Sequence, residues 1–168
     1  KGRVLDEYQI IYIATGNGVF ESASCEQQSI KEGTILFLFP GEWHRFKPDA
    51  QTGWDEFWVG FNGIFIEHIV QQHFLSGKNP VFEIGLSENI IQLFTNIIDI
   101  TKEELTGYQP LVAGIVMHLL GKIHSLTKQQ LYKGEDITES IITRARIIFR
   151  TNIDQNIDIE ELSKELCV

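Results

Sequence analysis

Residues 33–46 read GTILFLFPGEWHRF. The apolar run 34–39 is short, ends at Pro40-Gly41 and follows the turn signal Glu32-Gly33. A short apolar run between turn residues reads as a buried strand. A second strand is expected over 44–47. Side chains two apart on a strand share a face. His44 and Phe46 should therefore point one way, and Trp43 and Arg45 the other.

The same logic extends in both directions. Residues 8–14 (YQIIYIA) are rich in aromatic and β-branched side chains, as strands are. The Thr15-Gly16-Asn17-Gly18 stretch reads as a turn, with residues 19–22 returning as a hairpin. Residues 28–31 and 54–61 are further strands. Close spacing of short strands points to a sandwich or barrel. After Asn62-Gly63 the period changes, and residues 64–74 (IFIEHIVQQHF) can form a helix. Residues 81–84 make one more strand.

A helical pair follows. Ser87 is a suitable N-cap for a helix that Gly107 ends, and Pro110 suits the first turn of the next. That second helix carries Leu111, Val112, Ile115, Leu119 and Ile123 on one side. Ala113, Gly114, Met117, Leu120 and Gly121 lie on another. A helix apolar on two sides needs two partners. One of them is expected to be a second copy of the chain, met through Ala113, Met117, Leu120, Gly121 and His124. Residues 128–137 are mainly polar. The domains are set at 1–85 (β-barrel with one helix), 86–131 (helical dimerisation segment), 132–137 (linker) and 138–168 (a short helical region).

Composition narrows the function. With 168 residues, 43% hydrophobic and 22% charged, the chain is of ordinary globular type. No apolar run approaches the roughly 18 residues of a membrane span. The first ten residues, KGRVLDEYQI, do not read as a signal peptide. Cys25 and Cys167 match no metal or redox spacing and read as reduced thiols in a cytoplasmic protein. Residues 1–127 carry 8 basic and 15 acidic side chains, net −7. Residues 128–168 carry 6 and 8, net −2. Surfaces that bind nucleic acid are basic, so this stretch alone should not bind DNA specifically.

His44 has no neighbouring histidine, and Glu42 alone does not complete a metal set. Neither a metal nor another cofactor is assigned. Acids and bases are present in Glu42, His44, Asp55 and Glu56, but no nucleophile elbow or phosphate loop accompanies them, so no catalytic residue is assigned. Trp54, Glu56 and Trp58 share one strand face. Facing His44 and Phe46, they would line a pocket suited to a small polar-apolar ligand such as a sugar. The same alternation would equally serve a plain aromatic core.

Four stretches together carry a family resemblance: the early Thr15-Gly16-Asn17-Gly18-Val19 turn, Gly33-Thr34-Ile35-Leu36 with Pro40-Gly41-Glu42-Trp43-His44, the strand WDEFWVGF at 54–61, and residues 142–168. Their order and spacing resemble AraC-family transcriptional regulators. The resemblance implies an α+β chain: a cupin-like double-stranded β-helix that binds an effector without metal, a dimerising helical pair, and the start of a helix-turn-helix domain. Thr15, Phe46, Glu56 and Trp58 stand at positions that contact sugar in the family. It also implies a homodimer with a carbohydrate effector, touching DNA only through a C-terminal part beyond residue 168. The alternative is a cupin-type metal-dependent enzyme using His44 and Glu56.

Overall fold

The computed structural model describes residues 1–72, 75–133 and 160. The chain divides into two compact units, Lys1–Thr127 and Lys128–Val168. The first holds six strands: β1 (Tyr8–Ser22), β2 (Cys25–Lys31), β3 (Thr34–Leu38), β4 (His44–Pro48), β5 (Trp54–Phe61) and β6 (Val81–Glu83). Helix α1 (Ile64–Gln71) lies between β5 and β6, and α2 (Glu88–Glu103) follows β6. Helix α3 spans Tyr108–Lys133. All strand pairs are antiparallel, and the sheet curls into a half-barrel backed by helices, an α+β fold.

β1 organises the sheet. Its first half pairs with β3 and β5, its second half with β2 and β4. The hairpin expected at residues 15–18 is absent, because the strand bends there instead of reversing. A register shift against β5 falls between Ile13 and Thr15. Gly16 holds a φ of 82°. A Cβ at Gly16 would sit against the Gly53 carbonyl oxygen and 2.7 Å from Trp54 Cα. Only glycine takes that backbone at that approach without strain. The reversal comes later, where Ser22 pairs with Cys25 across a two-residue turn.

Alternation sorts the sheet into two cores. Ile10, Tyr12, Ile35 and Phe37 pack with Ile90, Phe94 and Ile97 of α2 and Val116, Leu119, Leu120 and Ile123 of α3. Ile11, Ile13, Leu36 and Leu38 face the other way, with Phe20 and Ile30. Each of these residues is 7% exposed or less, so one sheet has two dry faces. That explains why β1 and β3 read as continuous apolar runs.

Tyr12 ties the sheet to the helices. Its hydroxyl donates to Gly85 O (3.2 Å) and accepts the Ser87 N–H (2.9 Å). Burial pushes the phenol pKa above its ordinary value. Ser87 does occupy the N-cap of α2, in an extended conformation, but its side chain makes no capping hydrogen bond.

Three further expectations change. The buried stripe of α3 is Val116, Leu119, Leu120 and Ile123, spaced i, i+3, i+4, i+7. Leu120, 3% exposed, therefore belongs to the core and not to an outer seam. Ala113 and Gly121 are exposed, while Met117 and His124 are half-buried. α3 also runs past 131 through Lys133: Lys128 and Gln129 are exposed, good helix formers whose polarity marks a wet helix rather than its end. Finally, Tyr108–Gln129 is long and apolar enough to cross a membrane by length and composition. Its apolarity has a use within the unit, since Leu119, Leu120 and Ile123 are buried in the core. Residues 134–137 of the linker expected at 132–137, most of 138–168 including Cys167, and the end of the expected first helix at 73–74 lie outside the described residues.

Candidate functional site

A cavity of about 410 Å³ opens on the concave face of the sheet. Its floor is Ile11 of β1 beside Trp58 of β5, which are register partners. Glu56 comes next along β5, opposite Ile13. Gln9 of β1, with His44, Arg45 and Phe46 of β4, continues the wall, and Lys1 and Arg3 complete it.

The side chains form a connected series. The His44 and Phe46 rings lie parallel, 3° apart in plane and 6.2 Å between centroids. Phe46 meets Trp54 at 6.0 Å. Trp54 Nε1 donates to Glu56 Oε2 at 2.9 Å, fixing the carboxylate. The Arg3 guanidinium sits 5.5 Å above the Phe46 ring, a cation–π contact. Arg3 is held there by a backbone bridge: its N–H donates to His44 O and the His44 N–H donates back to Arg3 O, both at 3.0 Å. Trp58 is 57% exposed and offers its indole to the cavity.

His44 is 2% exposed. Its Nδ1 lies 3.2 Å from Glu42 O. A carbonyl only accepts, so the proton is assigned to Nδ1 and the lone pair to Nε2. Nε2 is buried and has no hydrogen-bond partner among the described residues. Burial lowers the His44 pKa, the Glu42 carbonyl contact opposes that shift, and Arg3 adds to it. The imidazole is therefore neutral near pH 7, and its ring contributes a flat wall to the cavity.

Of the six residues expected to contact a ligand, the structure brings His44, Phe46, Glu56 and Trp58 to the cavity. Trp54 stands behind them, bound to Glu56 and touching Phe46. Thr15 lies apart, exposed, donating its hydroxyl to Asp55 Oδ2 at 2.8 Å. The register shift explains it. Before the shift, odd residues of β1 face inward (Ile11, Ile13); after it, even ones do (Phe20). Lys1, Arg3, Gln9, Ile11 and Arg45 were not anticipated. Gln9 could have been found, as the polar interruption in YQIIYIA at the parity of Ile11. Arg3 could not, because its place depends on a pairing with His44, 41 positions along the chain.

Among the described residues, no three His, Cys, Asp or Glu side chains are grouped to hold a metal. A second hollow of about 470 Å³, lined by Asn17, Val19, Lys47 and Asp49 among others, offers no aromatic face. Of the two, the first has the general features of small-ligand sites: a hollow, part aromatic, with a few placed polar groups.

Residues 2–120 match the model of the AraC-like ligand binding domain. The chain belongs to this family. It is 24% identical over 166 residues to the Msm operon regulatory protein of Streptococcus mutans, covering 97% of this chain and 59% of that protein. Among solved structures it is similar to the AraC-like transcriptional activator CuxR (15% identity, TM-score 0.44), covering 98% of this chain and 58% of that one. It is also similar to ToxT of Vibrio cholerae (14% identity, TM-score 0.42), covering 98% and 64%. The chain thus spans less than two thirds of the length of these relatives. It is an AraC-type ligand-binding regulatory domain.

Proposed function

We propose that this chain is the effector-sensing and dimerising part of a cytoplasmic one-component transcription regulator, which contacts DNA through further C-terminal sequence. The half-barrel is read as a cupin-like double-stranded β-helix, and residues 138–168 as the start of a helix-turn-helix domain. The effector is a small polar molecule, a carbohydrate in the first instance. The observation that carries this is the exposed Trp58 indole beside the fixed Glu56 carboxylate in a cavity of about 410 Å³. A sugar stacks its C–H face on an indole and donates hydroxyls to a carboxylate.

Ligand binding then shifts an equilibrium between dimer arrangements. The route to the dimer is α2 and α3, which pack on the opposite face of β1 from the cavity. The outer side of α3, with exposed Ala113 and Gly121 and half-buried Met117 and His124, forms the dimer seam. A thermal-shift screen against mono- and oligosaccharides tests the reading, since a ligand of the folded state raises its melting temperature. The shift should vanish in Trp58→Ala. A sugar shift of undiminished size in that variant would place the binding site elsewhere.

A further inference from the structure

The cavity's charge runs against that of the chain. The protein is acidic, with 23 acidic residues against 14 basic ones. The cavity wall nevertheless gathers Lys1, Arg3 and Arg45 against the single carboxylate of Glu56. Local pairing does not cancel the excess. Arg45 is neutralised by Glu21, its β1 partner, at 2.7 Å. Glu56 is held by the Trp54 indole N–H. Arg3 and Lys1 form no ion pair among the described residues. Arg3 meets Phe46 only through the ring face, which leaves its N–H groups for another acceptor. Two cations of an acidic protein thus face one cavity whose single carboxylate, Glu56, forms an ion pair with neither.

We infer that the effector carries a negative charge as well as hydroxyls: a sugar acid or a sugar phosphate whose anion is bound by Arg3 and Lys1 while its ring stacks on Trp58. The inference rests on the proposed sensor function and goes beyond it by fixing the ligand's charge. A guanidinium meets a carboxylate or a phosphate with paired, charge-assisted hydrogen bonds. A neutral sugar would leave two cations facing the one Glu56 carboxylate in a partly enclosed site.

Isothermal titration of the whole chain tests this with matched probes. Glucose and galactose are the neutral set, glucuronate and galacturonate the carboxylates, and glucose 6-phosphate the phosphate. At least one acid should bind about tenfold or more tightly than its neutral parent, as a charge-assisted contact implies. Its affinity should fall as salt is raised. Arg3→Ala should bring the acid down to the affinity of the neutral sugar, and Arg3→Lys should keep most of the difference. The carboxylate and phosphate arms show which anion is preferred. If a neutral sugar binds as tightly as its acids, or Arg3→Ala leaves the acids unaffected, the charge inference falls and the sugar-sensor reading stands. If no probe in any arm binds, both fall together.

Discussion

Tyr12→Phe removes one oxygen from the joint between sheet and helices. The ring is fully buried and stays so in the variant. Two hydrogen bonds are lost, to Gly85 O and from the Ser87 N–H. Each is worth about 0.5–1.5 kcal/mol net. Water can partly replace the tyrosine, because Gly85 is exposed and Ser87 half-buried. A loss of about 1–2 kcal/mol follows, at the lower end of the two-bond range. For a chain of this size, 1 kcal/mol moves the midpoint by about 2–4 °C, so the melting temperature should drop by about 2–8 °C. Exchange of the Ser87 amide should quicken as well, since that N–H has no helical partner of its own. Tyr8→Phe is the control: no hydrogen bond of the Tyr8 hydroxyl occurs among the described residues, and its midpoint should hold. Calorimetry and amide exchange read both effects. A Tyr12→Phe midpoint within about 1 °C of the parent, with unchanged Ser87 exchange, would refute the role given to this hydroxyl.

Gly16→Ala should destabilise by more than about 2 kcal/mol, because a left-handed non-glycine backbone costs about 1–2 kcal/mol before the approach to Gly53 O and Trp54 Cα is counted; denaturant titration reads it, and a loss under about 0.5 kcal/mol would mean the bend does not need glycine. His44 gives a pH dependence. Its folded pKa lies below the ordinary 6.5, so the unfolded chain binds more protons between the two values. Stability is full above about 6.5 and is lost as pH falls toward the folded pKa. His44→Gln should show a shallower fall on acidification, measured by denaturant midpoints across that range, and an equal slope would remove His44 as the cause. Gly121→Arg tests the proposed dimer seam without touching the core, since a Cβ built there meets nothing within 4 Å beyond its chain neighbours and its own helix backbone; sedimentation should show a dimer of the parent converted to monomer, and a variant that stays dimeric places the seam elsewhere.

Much of the sheet was readable because its signals are local. The strand at 54–61 was bounded correctly, and the 44–46 alternation put His44 and Phe46 on one face as parallel rings. β5 carries no bulge within 54–58, so Glu56 and Trp58 share a face as the alternation read, and both line the cavity. On α3 the apolar residues nearly encircle the helix, and two stripes fit the sequence equally well. Packing against the sheet and α2 decided between them and took Leu120 inward.

The missed hairpin and the misplaced Thr15 share a physical source in β1. Gly16 and Gly18 flank Asn17 as in a hairpin turn, yet the segment is a bend within one strand. Whether such glycines reverse a chain or only kink it depends on what approaches them. Here the approaching group is the Gly53–Trp54 backbone, which is close only after β5 has paired with β1. The same kink inserts the extra residue that inverts facing parity. Thr15, inward by counting from Ile11 and Ile13, is outward in the fold. Parity read from sequence therefore holds along a strand as far as its first bulge and reverses beyond it. Arg3 stands at the far limit of such reasoning: its strand partner is 41 residues away, and nothing near it in sequence marks it as a wall of the cavity.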